Sequence, residues 1–89
     1  MANLRGGNIE EMHRLAKMFT ANAAKLNGII NDLNGRTASS DAIWTGPAAD
    51  RFRSEWSEAR AAFERMRQAL DEAGTAVTKS AQNIEAATR

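Results

Sequence analysis

The sequence predicts an all-α fold: one antiparallel helical hairpin that dimerises into a four-helix bundle. Three observations carry this. Apolar or small residues recur in alternating steps of three and four along both halves of the chain, the spacing of a heptad seam. The one proline, Pro47, follows Gly46 at mid-chain and separates those halves. Each half also carries a second apolar stripe beside the first, wider than a two-helix hairpin can cover. Residues 1–89 read as a single domain, with helix one at about 8–40, a turn at 41–46 and helix two at about 47–86.

Helix one begins at Asn8, a good cap, with Glu11 placed to reach back in a capping-box-like arrangement and Glu10 adding favourable charge in the first turn. Its seam runs Ile9, Met12, Ala16, Phe19, Ala23, Leu26, Ile30, Leu33 and Thr37. No proline interrupts it, so it should reach about Ser40. There the segment "TASSDA" weakens it, because serine and aspartate side chains compete for backbone hydrogen bonds.

Helix two starts at Pro47, whose missing N–H suits the first helical position, with Gly46 or Thr45 as cap. Its seam reads Ala49, Phe52, Trp56, Ala59, Phe63, Met66, Leu70, Ala73, Val77, Ser80, Ile84 and Ala87. Gly74 is a weak point, about 1 kcal/mol worse than alanine in a helix, and looser structure is expected beyond it. Both helices should be roughly 50 to 60 Å long, and a turn of a few residues makes them antiparallel.

The second stripes hold Met12, Leu15, Leu26, Ile29 and Leu33 on helix one, and Ala59, Ala62, Met66, Ala69, Ala73 and Ala76 on helix two. Either a second hairpin covers them, making a four-helix bundle, or the chain is a weakly stabilised monomer with exposed apolar side chains. The first is the simpler completion. It makes Phe19, Leu26, Ile30, Leu33, Phe52, Trp56, Phe63, Met66, Leu70 and Val77 the residues of core and dimer seam.

Composition narrows the function. Twelve basic residues against eleven acidic give a formal charge of +1, interleaved as in "EWSEARAAFERMRQALDE", without the concentrated basic face of a nucleic-acid binder. The absence of cysteine removes disulfides, thiolate zinc sites and thiol nucleophiles. The start "MANLRGGNIEE" has no apolar stretch of the length a Sec signal needs, and no window approaches the ~20 apolar residues of a membrane span. The only histidine, His13, lacks a ligand set. No serine has a histidine and acid for a triad, and "LRGGN" lacks the lysine of a phosphate loop. The pairs Glu10–Arg14, Arg51–Glu55 and Arg67–Asp71 read as a solvated face. No catalytic constellation, cofactor site or metal site is expected.

The central Trp44-Thr45-Gly46 between two long amphipathic helices, followed by "GPAADRFRSEW", resembles the WXG family of small ESAT-like (Esx) substrates of type VII secretion. The resemblance covers essentially the whole chain. It implies a homo- or heterodimeric four-helix bundle with a second WXG-type protein, non-enzymatic, exported from the cytoplasm without a Sec signal. It also implies that the turn of one chain lies near the C-terminal tail of the other, where a Tyr-x-x-x-Asp/Glu signal meets the secretion ATPase. Here the tail "SAQNIEAATR" has Ile84 in place of the tyrosine and Thr88 in place of the acid. Three readings follow: this chain is the signal-less half of a heterodimer carried out by its partner, it uses another recognition element, or the chain is truncated after Arg89.

A secreted interaction protein is the leading expectation, as effector, carrier or structural partner. A membrane-active effector is a second, although the mixed charge of the polar faces offers no Lys/Arg stripe to anionic lipid. A cytosolic adaptor or chaperone-like hairpin is a third.

Overall fold

In the computed structural model, which describes residues 8–87, helix α1 spans Ile9–Ala38 and starts where the sequence places its cap. Asn8 has extended backbone (φ −92°, ψ 109°), and its Oδ1 accepts the Glu11 N–H at 3.0 Å. One of the donors that a helix start leaves open is thereby satisfied. The Glu11 carboxylate does not complete a capping box. It accepts two bonds from the Arg14 guanidinium one turn on instead. That pairing also pushes the Arg14 pKa further above its ordinary value.

The first helix ends slightly earlier than expected, and hydroxyls are the reason. Ser39 Oγ donates to the Gly35 carbonyl at 2.8 Å and Ser40 Oγ to the Thr37 carbonyl at 2.6 Å. The Gly35 carbonyl still accepts its helical bond from the Ser39 N–H at 3.2 Å, but the Thr37 carbonyl, which the Asp41 N–H would take in a further turn, is occupied by a hydroxyl instead. A 3₁₀ turn at Ser40–Ala42 follows. At the far side of the connection Gly46 has φ +110°, and its carbonyl accepts the Asp50 N–H at 3.0 Å. Of the two candidate caps it is therefore Gly46 that stands at the helix start, with Pro47 first in helix α2, Pro47–Ala87.

The helices run antiparallel in a rod of 64 × 16 × 15 Å. Its radius of gyration is 19.6 Å, against about 12 Å for a compact domain of this length. Near the turn Trp56 Nε1 donates to Asn34 Oδ1 at 3.4 Å; at the open end Gly74 lies against Ala16 and Thr20. Among the described residues, the buried positions are Ala16, Ala23 and Ile30 on α1, and Ala49, Gly74 and Ala81 on α2. Small residues let the axes approach closely. They also remove little area from water, so this core alone stabilises the chain weakly.

One expectation is corrected here. Gly74 does not loosen α2, which continues to Ala87. A Cβ at 74 would sit 2.8 Å from Thr20 Oγ1 and 3.2 Å from the Ala16 carbonyl oxygen, so this glycine is where the helices touch. The long heptad seam of helix two is only partly buried within one chain. A straight helix has 3.6 residues per turn, and a strict heptad drifts about 20° per repeat around it. The buried line accordingly passes from Trp56 to Arg67 and Gly74, while Phe63 and Met66 rotate outward, 36% and 54% exposed. Arg67, read from sequence as solvated, has a side chain only 29% exposed, with Asp71 Oδ2 at 3.0 Å and Glu64 Oε1 at 3.6 Å.

Candidate functional site

The turn is built by residues from both helices. The Trp44 N–H donates to the Ser40 carbonyl at 2.8 Å, closing one helical turn that is not continued. From the second turn of α2, Arg53 Nη1 donates to Ser40 Oγ at 2.8 Å and Nη2 to the Trp44 carbonyl at 3.2 Å. The same guanidinium has Asp50 Oδ1 at 3.6 Å. The indole of Trp44 rests on the next residue back along α2, Phe52, with ring centroids 5.5 Å apart and planes tilted by 43°. Trp44 nevertheless stays 43% exposed, and its neighbour Ile43 is 88% exposed. Thr45 and Gly46 are exposed. Nothing lies within 4 Å of where a Gly46 Cβ would stand, so glycine is required there by its positive φ alone.

From Trp44 an apolar face runs down one side of the hairpin. On α1 it holds Leu15, Met18, Ile29 and Leu33, which are 45%, 61%, 55% and 40% exposed; on α2 it holds Phe52, Phe63 and Met66. Half-buried Phe19, Leu26, Leu70 and Val77 sit between these and the core. A shallow groove of about 250 Å³ on this side is lined by Leu15, Met18, Phe19, Asn22 and Leu70. The opposite side is polar: its grooves are lined by His13, Lys17, Thr20, Thr75, Thr78, Lys79 and Gln82 among others. Exposed ion pairs lie along the helices, as at Arg36–Asp32, 3.0 Å.

The residues predicted as core and dimer seam thus fall into two groups. Ile30 is buried, and Phe19, Leu26, Trp56, Leu70 and Val77 are half-buried within one chain; Leu33, Phe52, Phe63 and Met66 are exposed. Of the tail positions, Ile84 is half-buried on α2 and Thr88 lies outside the described residues. Arg53 was missed by sequence reasoning. Its one signal was a position one helical turn beyond Ala49 and next to Phe52, which a charge-pair search along a single helix does not weigh. Among the described residues no group of three or more His, Cys, Asp or Glu comes together as a metal would require. No described helix is long and apolar enough to cross a membrane.

Residues 7–88 match the family described as "Proteins of 100 residues with WXG". The chain belongs to the WXG100 family. Its members are small type VII secretion substrates, and the turn just described is the Trp-x-Gly of the family name. No curated protein matches the sequence. Among solved structures, the chain is similar to Geobacillus thermodenitrificans EsxA in crystal form I, at 25% identity and a TM-score of 0.85, over 90% of this chain and 89% of that one. The antiparallel helical hairpin expected from the heptad pattern is therefore the fold observed, and the family is the one that Trp44-Thr45-Gly46 resembled.

Proposed function

We infer that this WXG100 chain is a non-enzymatic substrate of a type VII secretion system that leaves the cytoplasm paired with a second WXG-type hairpin. It acts outside the cell as an effector, carrier or structural partner. The observation that carries this is the continuity of one surface: the Trp44–Phe52 pair at the turn opens into an apolar face that extends along both helices. Large exposed apolar stretches on a small protein mark an interaction surface. The chain exposes 6582 Å², against about 5,100 Å² for a compact monomer of its mass. That excess is what a rod of 64 × 16 × 15 Å exposes over a compact shape, and the apolar face described above lies along it.

The partner also supplies the tyrosine and acid that positions 84 and 88 do not hold. With Ile84 and Thr88 in place of tyrosine and acid, the chain relies on the partner's tail to reach the secretion ATPase, and Trp44 is where that tail docks. The test is export from a secretion-competent strain with and without the neighbouring WXG-type gene. Export only with the neighbour, abolished by inactivating the ATPase, is the expected result. Secretion of this chain alone would overturn the carrier reading, and retention in the cytosol under all conditions would favour a cytosolic adaptor. Light scattering on the purified chain separates homodimer from heterodimer: a helical species at twice 9.7 kDa means self-pairing, and a poorly helical monomer means another chain completes the bundle.

A further inference from the structure

The geometry points to Arg53 as the positioning residue of the Trp44 turn: its guanidinium fastens the turn to the end of α1, so that the half-exposed indole is presented to a docking chain in one orientation. This rests on the reading of the turn as a docking element.

Without Arg53, the connection between the helices would be held by little. It runs from Ser39 to Gly46 and carries no buried residue. Its exposed 3₁₀ turn has backbone bonds of 3.0 and 3.3 Å, and Gly46 at φ +110° joins it to α2 without steric restraint. Such segments are drawn from the least stable parts of a fold. Arg53 supplies two anchors. One arm reaches Ser40 Oγ, which passes its own hydrogen on to the Thr37 carbonyl at 2.6 Å, so the chain Arg53–Ser40–Thr37 ties α2 to the last turn of α1. The other arm takes the Trp44 carbonyl, while the Trp44 N–H is already engaged by the Ser40 carbonyl. The backbone of Trp44 is therefore held on both sides, and its ring is backed by Phe52, the residue adjacent to Arg53.

The division of labour is chemical. Phe52 offers the indole a face but no direction, since a tilted ring pair tolerates sliding. The planar guanidinium has donors in a fixed fork, and its bonds to Ser40 and Trp44 set where the indole begins. The Arg53 side chain is 24% exposed, so these charge-assisted bonds are partly sheltered from water. A turn ordered before binding gives up less conformational entropy when a partner docks. Lysine cannot replace this, because one ammonium on a flexible stem does not span the two acceptors as a fork does.

The test uses the full chain with both tryptophans in place. Trp56 Nε1 is hydrogen-bonded to Asn34, so its indole amide signal serves as an internal reference for that of Trp44. Heteronuclear relaxation of the two indole N–H groups is compared in wild type, Arg53→Met, Arg53→Lys and Ser40→Ala. Arg53→Met keeps the apolar stem and removes the fork. The expected result is that Trp44 loses order in Arg53→Met, with the ordered population down about tenfold for the loss of two such bonds. Arg53→Lys and Ser40→Ala should lie between it and wild type, and Trp56 should be unchanged in all. Unaltered Trp44 dynamics in Arg53→Met would overturn the proposal, as would equal loosening of Trp56, which would make Arg53 a general packing residue. The same variants are then scored for export beside the partner. Arg53→Met should be exported several-fold less, at unchanged helicity; full export with a loosened Trp44 also overturns the proposal. Wild type that is not exported by any strain defeats the secretion reading instead, and the relaxation data still decide the latch.

Discussion

Gly74 packs directly against the α1 backbone at Ala16: a Cβ at residue 74 would lie 3.2 Å from the Ala16 carbonyl oxygen and 2.8 Å from Thr20 Oγ1. Thr20 Oγ1 is not free to swing away, because it donates to that same carbonyl at 3.1 Å. Alanine at 74 would raise helix propensity by about 1 kcal/mol, but it must either break the Thr20 bond or push the helices apart. Overpacking of this kind costs roughly 1–3 kcal/mol, so Gly74→Ala should destabilise on balance. In a Thr20→Ala background the penalty should shrink by half or more. A thermal double-mutant cycle at fixed protein concentration measures the coupling, and additivity of the two changes would mean the contact is not felt.

Gly28 and Gly35 make the opposite case. Both lie inside α1, and neither would meet anything within 4 Å if it gained a Cβ. Gly28→Ala and Gly35→Ala should each stabilise by about 0.5–1 kcal/mol through backbone entropy alone. The midpoint of urea unfolding should rise with an unchanged slope. A fall at either position would reveal a partner surface on the outer side of α1 that the hairpin by itself does not display.

Gly46→Ala tests the turn. With φ at +110°, any side chain is strained there by about 1–3 kcal/mol whatever the space around it. The chain can relieve that strain by re-forming the turn, so global stability should drop modestly. The larger change should be in Trp44, whose contact with Phe52 at 5.5 Å depends on the path through Gly46. Near-UV circular dichroism with retained far-UV signal is the expected signature. An unaltered near-UV spectrum would separate the glycine from the placement of the indole.

Much of this molecule is legible in its sequence because its controlling physics is local. Asn8 caps α1 and Pro47 opens α2 by bonds and dihedrals confined to a few neighbouring residues. The apolar face is legible too, since periodicity reports which residues share a side. What periodicity cannot supply is the distance between two axes. Gly74 looks like a defect when α2 is considered alone and becomes a contact only when Ala16 is opposite it. Arg53 is a surface charge on its own helix and a clamp only once Ser40 and Trp44 are folded back above it. The slow drift of a heptad around a straight helix likewise decides that Arg67, rather than Met66, turns towards the partner helix.

The exposed face makes a prediction about association. Met66 and Met18 are 54% and 61% exposed on the apolar side, so a charge at either should leave the hairpin's own buried line of Ala23, Ile30 and Gly74 intact. Met66→Glu should weaken pairing with the completing hairpin by at least tenfold, since burying an unpaired carboxylate carries a penalty of several kcal/mol. Sedimentation or titration calorimetry reads this directly. Equal affinity for wild type and Met66→Glu would move the interface to the polar side of the rod.

The two tryptophans should part company when each is replaced by alanine. Trp56 is half-buried between the helices, donates to Asn34 Oδ1 at 3.4 Å and has Phe63 at 6.3 Å between ring centroids. Removing it opens a gap between the helices next to Phe63, in a core whose fully buried positions are mostly small residues. A loss of roughly 3 kcal/mol is expected, a large fraction of what so thin a core supplies. Trp44 stands outside that core, 43% exposed with Phe52 beneath it. Trp44→Ala should lower stability by about 1 kcal/mol, the value of an exposed aromatic pair, and leave helicity and pairing near wild type while export collapses. Thermal melts paired with secretion of the same two variants distinguish these roles. Comparable unfolding by both would make Trp44 a structural lid on the end of the hairpin, and its display at the turn a by-product of closing the fold.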